Sequence, residues 1–326
     1  MTADERLDQL CQVLMAFARA EFDARATLTD GDDALDASGC AQKLGVRDDK
    51  LEPLLYALVG AGLLEERNGR FSNNAESREF LIKGRPRYLG SIHELYSDLW
   101  GATLHTAQSI RPGVPQARHD FSAMSAIELE AFVRGLDAGA GAAARRLDKD
   151  FDFSRFEHVL DAGGGAGALA VTLCRKNPSL RATVAELDNV APIAERVIAE
   201  SGLDDRIRVV ACDLVSGPPP GDYDAIVMRA FLQVLSREDA ASAVAHSVRS
   251  LRAGGELFAM SRMLDDSKLE PADAVSANVM FLNIYDAGGA YTESEYREWF
   301  SAAGLVDNQR RRLSGGYSII KGSKPR

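Results

Sequence analysis

The stretch HVLDAGGGAGA, residues 158–168, decides the fold. Residues 158–162 form a short apolar run that predicts a buried strand, and four glycines follow within residues 163–167. Glycine is needed where the backbone turns sharply and where a ligand must approach the amide groups at the start of a helix. The stretch therefore predicts a strand, a ligand-binding turn and a helix, which together begin a nucleotide-binding sheet.

Short apolar runs alternate with helical patterns after this loop. Helices are predicted from the loop through Cys174 and over residues 191–200. Further strands are predicted over 182–185, 208–212, 225–228 and 256–260, and a terminal hairpin around Gly315-Gly316. This alternation is typical of an α/β fold, a Rossmann-like domain whose mostly parallel sheet is covered on both faces by helices.

Acidic residues stand at the ends of three successive predicted strands. Asp161 precedes the glycines, Glu186 ends the second strand and Asp213 follows the third. Ligands bind at the carboxyl ends of the strands in such sheets, so we expect three carboxylates around one ligand. Either the acids only cap helices and turns, or they hold a ligand that bears an ammonium group, a ribose diol and an adenine. S-adenosyl-L-methionine has these three groups and no phosphate, and we therefore predict it as the cofactor.

The glycine spacing leaves a second cofactor open. Gly163, Gly165 and Ala168 also satisfy the dinucleotide-binding fingerprint, and Glu186 lies at about the distance expected of the acid that binds the ribose. An NAD-dependent oxidoreductase is therefore an alternative. Asp161 argues against it, because a carboxylate beside the loop would repel a pyrophosphate.

The first hundred residues are predicted to be mainly helical. Asp36 can cap a short helix that Gly45 ends, a second helix begins near Asp48, and Asn68-Gly69 predicts a tight hairpin. Helix, turn, helix and hairpin form a winged-helix pattern, which is used for DNA binding or for dimerisation. Lys50 is the single basic residue of the second helix, whereas the reading of base edges needs arginine, lysine or amide side chains. Dimerisation is therefore favoured.

The charge balance and the cysteine usage exclude several classes of protein. The 326 residues include 38 Lys and Arg against 48 Asp and Glu, a net charge of −10, which argues against a nucleic-acid partner. The four cysteines lie far apart, so neither a disulfide scaffold nor a metal site is expected, and a cytoplasmic location is the simplest. No apolar run approaches the roughly 20 residues of a membrane span, and the N-terminus lacks the features of a signal peptide.

Length and sequence texture predict about two domains. Residues 1–105 are assigned to a helical, winged-helix-like dimerisation domain, and residues 106–152 to a helical linker that forms a wall of the substrate pocket. Residues 153–326 are assigned to the Rossmann-like cofactor-binding domain. The stretch GLDAGAGAAARRL before that domain permits a close backbone approach, either to the domain or to a ligand.

Four motifs give the chain a family resemblance. They are DAGGGAG at 161–167, AELD at 185–188, CDL at 212–214 and MRAFLQVLSRED at 228–239. From about Asp36 to the C-terminus the chain resembles the bacterial and plant small-molecule O-methyltransferases that carry an N-terminal winged-helix dimerisation domain. The resemblance implies a class I methyltransferase fold, a homodimer, S-adenosyl-L-methionine as the cofactor and a small-molecule methyl acceptor.

The resemblance also assigns cofactor-binding residues. In the family the glycine motif cradles the methionine part of the cofactor, and an acid at the position of Glu186 holds the ribose. The residues at Asp213 and Leu214 would contact the adenine, and Arg229 stands where the family usually has a lysine. The implied cofactor-binding residues are Asp161, Gly163, Gly165, Gly167, Glu186, Leu187, Asp213, Leu214 and Arg229.

The catalytic segment departs from the family pattern. The family's histidine, which takes the proton of the acceptor hydroxyl, is replaced by Gln233, and its two supporting glutamates are replaced by Ser261 and Ala290. A glutamine amide forms hydrogen bonds but does not act as a general base at neutral pH. We therefore expect Gln233 to position an acceptor that needs no deprotonation.

Acceptors of this kind are a thioether sulfur, a preformed enolate carbon and a phenol that is already ionised. The thioether is favoured, as in the S-methylation of 4-methylthio-2-hydroxybutyrate on the route to dimethylsulfoniopropionate, which some marine bacterial enzymes of the superfamily perform. One alternative is O- or C-methylation of a phenol or an enol. Another is a winged-helix regulator whose second domain only senses S-adenosyl-L-methionine.

A second wall of the pocket is predicted from the stretch SANVMFLNIYDAGGAYTESEY. Its asparagines and aromatic residues fall near one another on a predicted helix ahead of Gly288-Gly289, although Met280 and Phe281 are also explained as core residues. With an arginine nearby, the asparagines would bind a small carboxylate. The predicted substrate-binding residues are Tyr96, Arg262, Asn278, Met280, Asn283 and Tyr285, and His93 and Tyr96 remain candidates for a replacement base.

Overall fold

The computed structural model describes residues 34–82, 85, 103–313 and 316–326. The chain divides into two compact units, Met1–Trp100 and Gly101–Arg326. Helices and strands are numbered here in chain order among the described residues, and each unit is treated by itself.

The smaller unit contains the predicted pair of helices and the predicted hairpin. Its elements are α1 (Ala37–Leu44), α2 (Asp48–Gly60), β1 (Leu64–Arg67), β2 (Arg70–Asn73) and α3 (Ala75–Phe80). Asp36 caps α1, since its Oδ1 accepts a hydrogen bond from the Gly39 amide at 2.7 Å. Asn68 and Gly69 both have positive φ, 55° and 73°, which is the conformation that a two-residue hairpin turn requires.

The larger unit contains a seven-stranded sheet and eight helices in its described residues. The helices are α4 (Thr106–Ile110), α5 (Ala126–Gly135), α6 (Asp137–Phe151), α7 (Ala168–Lys176), α8 (Ala191–Ser201), α9 (Arg237–Arg249), α10 (Ala272–Phe281) and α11 (Glu293–Ala302). The strands are β3 (His158–Ala162), β4 (Arg181–Glu186), β5 (Ile207–Ala211), β6 (Tyr223–Arg229), β7 (Leu251–Arg262), β8 (Val306–Arg312) and β9 (Tyr317–Ser323). Two short 3-10 turns lie at Phe153–Arg155 and Leu232–Val234.

The strand order of this sheet is β5-β4-β3-β6-β7-β9-β8. The pairs from β5 to β7 are parallel, whereas β9 pairs antiparallel with both β7 and β8. The predicted α/β fold with a mostly parallel sheet is therefore confirmed, and the last two strands form the antiparallel pair expected near the C-terminus. Because β9 lies between β7 and β8, the final strand of the chain completes the interior of the sheet rather than its edge.

Two apolar layers enclose the sheet. On β3, Val159 belongs to the core that includes Leu147 of α6 and Leu173 of α7. Leu160 points to the other core, with Val244 of α9 and Phe300 of α11 as members. Because helices cover both faces, the central strands read as continuous apolar runs.

The carboxyl ends of β3 and β6 meet at the centre of the sheet. From β3 the chain builds outward through β4 to β5, and it then returns to place β6 on the other side of β3. In open α/β sheets a ligand crevice forms at such a reversal of strand order. The glycine loop follows β3 and the segment from Arg229 to Leu235 follows β6, so both border this crevice.

Arg310 on β8 has a buried guanidinium group, which forms ion pairs with residues of two other segments. Its side chain is 3% exposed, and Nη1 donates to Asp265 Oδ1 at 2.8 Å and to Glu293 Oε2 at 3.1 Å. Its Nη2 also donates to the Met263 carbonyl oxygen at 2.9 Å, so removal of the side chain breaks a buried network of charge-assisted hydrogen bonds. Arg310→Ala is therefore expected to lower the free energy of unfolding by about 3 kcal/mol in urea titrations.

Arg312 supplies the matched control for this prediction. It lies two residues further along β8 and pairs with the same Asp265 at 2.6 Å, but its side chain is 59% exposed. Arg312→Ala should cost less than about 1 kcal/mol, because exposed ion pairs are weak. Equal losses in the two variants would contradict the assignment of Arg310 as the buried member of the network.

Candidate active site

Asp161 is the fourth residue of β3, and its carboxyl group lies against the glycine loop. The residue is 1% exposed, and Oδ2 accepts a hydrogen bond from the Ala170 amide at 3.2 Å. An ideal Cβ built on Gly164 would lie 2.6 Å from Cγ of Asp161, so only glycine leaves room for the carboxyl group. Burial raises the pKa of Asp161 to about 7, and the positive charge of Arg229 offsets part of the rise.

The loop glycines adopt backbone conformations that other residues rarely reach. Gly163, Gly165 and Gly167 have φ values of 66°, 59° and 86°. A Cβ at Gly163 would lie 2.5 Å from Cδ2 of Phe231, so the aromatic ring after β6 packs directly on the loop after β3. Sequence patterns give no signal for Phe231, because a single aromatic residue after a strand is equally typical of a core position.

Glu186 at the end of β4 holds the glycine loop in place. Its Oε1 accepts a hydrogen bond from the Gly165 amide at 2.8 Å, and its Oε2 accepts one from the Leu187 amide at 3.0 Å. Burial raises the pKa of Glu186. Each carboxylate oxygen has a further lone pair, so the same group can still accept a hydrogen bond from a ligand.

Asp213 and Leu214 form a turn after β5. Asp213 is exposed, and its carboxylate accepts hydrogen bonds from the Val215 amide at 2.9 Å and from the Ser216 hydroxyl. Leu214 is buried, and its carbonyl oxygen pairs with Nδ1 of His246 at 3.0 Å. Asp213 thus caps its own turn, which is one of the two interpretations that its sequence position allows.

Arg229 is the last residue of β6, and it reaches α6. An ideal Cβ at Gly139 would lie 2.6 Å from Nη2 of Arg229, so the guanidinium rests on the first turn of the helix. A Cβ built on Gly141 would likewise lie 3.2 Å from Oγ1 of Thr172 on α7. The small residues of the Ala- and Gly-rich stretch therefore allow side chains of neighbouring elements to approach the α6 backbone closely.

Gln233 lies in the 3-10 turn that follows β6. The residue is 6% exposed, and its Oε1 is buried and has no hydrogen-bond partner in the described part of the chain. Its backbone is fixed, since its carbonyl oxygen accepts a hydrogen bond from the Gly289 amide at 2.9 Å. A Cβ at Gly288 would lie 2.3 Å from that carbonyl oxygen, so Gly288 is required for this contact.

Asn278 and Asn283 are engaged within the protein. Asn283 is 1% exposed, with Oδ1 accepting from the Ser109 hydroxyl at 2.6 Å and Nδ2 donating to the Thr106 hydroxyl at 3.1 Å. Oδ1 of Asn278 accepts from the Ala290 amide at 2.8 Å. These amides fasten α10 and its following turn to α4 and to the glycine segment at 288–289.

The remaining residues predicted to bind the substrate do not lie together on one helix. α10 ends at Phe281, so Asn283 and Tyr285 follow the helix instead of lying on it. Tyr285 packs on Gly288, where a Cβ would be 3.0 Å from its Cδ2. Cζ of Arg262 lies 4.8 Å from the ring centroid of Tyr317. Met280 is half-buried on α10, and Tyr96 and His93 lie outside the described residues.

The structure brings part of the predicted set together. Asp161, the loop glycines and Glu186 form one hydrogen-bonded assembly, and Arg229 and Phe231 reach it from β6. Asp213 lies two strands away, at the end of β5. Within the described residues no group of three or more His, Cys, Asp or Glu side chains could hold a metal ion, and no helix is long and apolar enough to cross a membrane.

Comparisons of sequence and of structure both find methyltransferases. Residues 109–306 match the family model described as an O-methyltransferase domain. The chain is 30% identical over 296 residues to 3-hydroxy-5-methyl-1-naphthoate 3-O-methyltransferase of Streptomyces sahachiroi, which covers 89% of this chain and 86% of the relative. Human N-acetylserotonin methyltransferase, solved with its SAM cofactor, superposes with a TM-score of 0.81 at 22% identity, covering 99% of this chain and 96% of that one. PigF with SAH gives a TM-score of 0.77 at 24% identity, covering 99% and 100%.

Proposed function

This chain belongs to the O-methyltransferase domain family, and on that premise we propose that its acceptor is a small aromatic or enolic molecule with an acidic hydroxyl group. The chain is a methyltransferase, and its cofactor is S-adenosyl-L-methionine. The observation that carries the proposal is Oε1 of Gln233, which is buried and has no hydrogen-bond partner among the described residues.

The residues around the glycine loop fit this cofactor. A side chain at Gly163 or Gly164 would collide with Phe231 or Asp161, so the loop backbone stays uncovered by side chains of its own. Asp161 offers a buried carboxylate, and Glu186 retains acceptor capacity beside Gly165. The cofactor supplies a methyl group bonded to a positively charged sulfur, which a carboxylate nearby stabilises.

The Gln233 amide, whose Oε1 is unpaired among the described residues, indicates the chemistry of the acceptor. Its Nε2 can donate a hydrogen bond to an ionised hydroxyl oxygen, and its Oε1 can accept one from a neighbouring donor. An acceptor that carries both groups, such as a hydroxyl beside a second hydroxyl, satisfies both ends of the amide. Because buried polar atoms are costly when unpaired, such an acceptor is favoured over one without polar groups.

Gln233 cannot take a proton at neutral pH, so the acceptor must ionise without it. Gln233 would then hold the oxygen anion in line with the methyl group. Alignment of two reacting groups at about 3–3.5 Å supplies roughly 7–11 kcal/mol of rate enhancement. The chain's own contribution is therefore mainly to bind, orient and exclude water.

S-methylation of a thioether acid, the acceptor favoured by sequence alone, is the competing hypothesis. A thioether sulfur has no donor, so it would leave Oε1 of Gln233 unpaired, and it would accept only a weak hydrogen bond from Nε2. The relative from Streptomyces sahachiroi is named for the methylation of a ring hydroxyl, which also supports an oxygen acceptor. C-methylation of an enolate or phenolate requires the same anion, and the position of the new methyl group would identify it.

The test follows the pH dependence of methylation for a series of hydroxynaphthoates whose hydroxyl groups ionise at different pH values. The midpoint of each rate profile is expected to follow the ionisation of the acceptor. Gln233→Leu should keep that midpoint and lower kcat/KM about 10- to 100-fold, through loss of a hydrogen bond to an ionised oxygen. Gln309→Leu, an exposed position on β8, should have no effect.

Two results would overturn the proposed acceptor. One is a midpoint that, at saturating cofactor, stays at the same pH for every acceptor, because a fixed midpoint would then report a base on the protein. The other is rapid methylation of a thioether acid such as 4-methylthio-2-hydroxybutyrate, detected as a sulfonium product by mass spectrometry, with the phenols inert.

For the smaller unit we propose a winged-helix dimerisation domain, and for residues 106–152 a wall of the substrate pocket. Lys50 is the single basic residue of α2, while Leu51, Leu55 and Leu58 are buried, so little of this helix suits the reading of DNA bases. Light scattering should give a mass of about twice 35.2 kDa. A shift of DNA mobility at low salt would contradict the assignment.

A further inference from the structure

The guanidinium group of Arg229 lies beside Gly139 in the first turn of α6, a contact that none of the sequence motifs predicts. An ideal Cβ at Gly139 would lie 2.6 Å from Nη2 of Arg229 and 3.6 Å from its Cζ. The guanidinium therefore lies against the α6 backbone itself, in space that any other side chain at 139 would occupy.

The positive charge of Arg229 acts on two acidic residues, neither of which forms an ion pair with it in the described structure. Its charge lowers the pKa of Asp161 at the end of β3 and that of Asp137 at the start of α6, against the rise that burial causes in each. Within the described part of the chain, however, Arg229 forms no hydrogen bond and no ion pair within 4.0 Å. The other charged groups around Asp137 are Arg134 and Glu200, which bind each other at 2.8 Å. None of the five guanidinium N–H donors of Arg229 is therefore used among the described residues.

We propose that Gly139 is a positioning residue which holds Arg229 ready to bind the carboxylate of a ligand at this end of the sheet. A guanidinium matches a carboxylate with two parallel hydrogen bonds, and it needs a fixed orientation to do so. The α6 backbone at Gly139 limits where the guanidinium can lie, and the negative charges of Asp137 and Asp161 favour a cation there. The carboxylate belongs either to the amino-acid part of the cofactor or to the acceptor. The inference does not depend on the nucleophile proposed above.

The contact between Gly139 and Arg229 requires a glycine at 139 and an arginine at 229. Alanine at 139 would push the guanidinium away from its place, because a Cβ cannot approach a nitrogen to 2.6 Å. Lysine at 229 would lack the planar fork, and its flexible stem would avoid a Cβ at 139. The two substitutions are therefore expected to be non-additive, as for residues in direct contact.

Calorimetry with two cofactor-derived ligands tests the proposal. S-adenosylhomocysteine carries the carboxylate, whereas 5′-methylthioadenosine has the same nucleoside and sulfur without it. If the carboxylate is that of the cofactor, Gly139→Ala and Arg229→Lys each weaken S-adenosylhomocysteine binding about 10- to 100-fold and leave 5′-methylthioadenosine binding unchanged. Gly139→Ala should add nothing in the Arg229→Lys background. Gly60→Ala, a helix position at which a Cβ meets no atom within 4 Å, is the control.

A second titration distinguishes the other source of the carboxylate. Benzoate is added to the protein saturated with S-adenosylhomocysteine, and loss of benzoate binding in both variants, with nucleoside affinities unchanged, assigns Arg229 to the acceptor. Equal losses for S-adenosylhomocysteine and 5′-methylthioadenosine would overturn the proposal, because the effect would not depend on a carboxylate. Unchanged S-adenosylhomocysteine binding, with benzoate binding absent or unaffected, would overturn it as well.

Discussion

Asp161→Asn is expected to lower the affinity for S-adenosyl-L-methionine about a thousandfold, which is the order of effect of removing one charge from a buried pair. The carboxyl group is 1% exposed and lies against Gly164, so no water replaces it as a partner for a bound cation. Asparagine has nearly the same shape and can accept the same hydrogen bond from the Ala170 amide. The loss would therefore report the charge and not the packing, and calorimetry with the cofactor measures it directly.

The same carboxyl group should make cofactor binding depend on pH. Burial raises the pKa of Asp161 to about 7, so a large part of the free protein carries a neutral acid at pH 6. A positively charged ligand favours the ionised form. Affinity of the unmodified protein is therefore expected to rise between pH 6 and pH 8 and then to level off, whereas the affinity of Asp161→Asn stays flat over this range.

Stability of the cofactor-free protein should change in the opposite direction. The pKa of Asp161 is about 7 in the folded chain against 3.8 for an ordinary aspartate, so folding favours the protonated form. Its contribution to stability is complete below pH 3.8 and is lost as the pH rises to about 7. At pH 8 the asparagine variant is therefore expected to melt at or above the temperature of the unmodified protein.

The control for both measurements is Asp205→Asn, which removes a charge from an exposed residue after α8. It should leave cofactor affinity, its pH dependence and thermal stability unchanged. If Asp161→Asn bound the cofactor as well as the control did, Asp161 would have no electrostatic role. A lower melting temperature at pH 8 would show instead that the ionised carboxylate stabilises the fold.

Gly288→Ala should reduce the methylation rate at least a hundredfold. The new Cβ would lie 2.3 Å from the Gln233 carbonyl oxygen and 3.0 Å from Cδ2 of Tyr285, so the turn that carries Gln233 must move. A displacement of about 1 Å at a positioning group costs about a hundredfold in rate. The overpacking should also cost about 1–3 kcal/mol in the free energy of unfolding.

Two measurements separate these effects. Cofactor affinity should fall much less than kcat with a phenolic acceptor. Asp161, Glu186 and the glycine loop lie on other elements, and the displaced turn contacts that loop through Phe231. Gly217→Ala is the matched control, since a Cβ there meets no atom within 4 Å. Full activity of Gly288→Ala would mean that the contact between the glycine segment and Gln233 does not set the position of the amide.

The fold could be predicted from the sequence because its signals are local. The strand predicted at 158–162 has the bounds of β3, and the glycine loop and α7 follow it as expected. The sequence does not predict that α10 ends before Asn283. The Asn283 amide forms hydrogen bonds with Ser109 and Thr106, which lie more than 170 positions earlier in the chain. No helical periodicity carries that information.

The candidate site was predictable to a smaller extent. Residue type and strand position single out Asp161 and Glu186, and both lie at the carboxyl ends of their strands. The contact of Gly139 with Arg229 and that of Gly288 with Gln233 join segments distant in the chain, so no spacing rule reveals them. In the same way, a sequence does not show that the Asp213 carboxylate is occupied by its own turn.

The place of β9 in the sheet has a consequence for synthesis on the ribosome. β7 emerges early, but its second neighbour is formed by residues 317–323, and β8 has no pairing partner until that segment arrives. A nascent chain that ends before these residues exposes one free edge of β7 and an unpaired β8, and such edges are prone to aggregation. Premature termination in this short region should therefore yield insoluble product even though the whole cofactor loop has already been made.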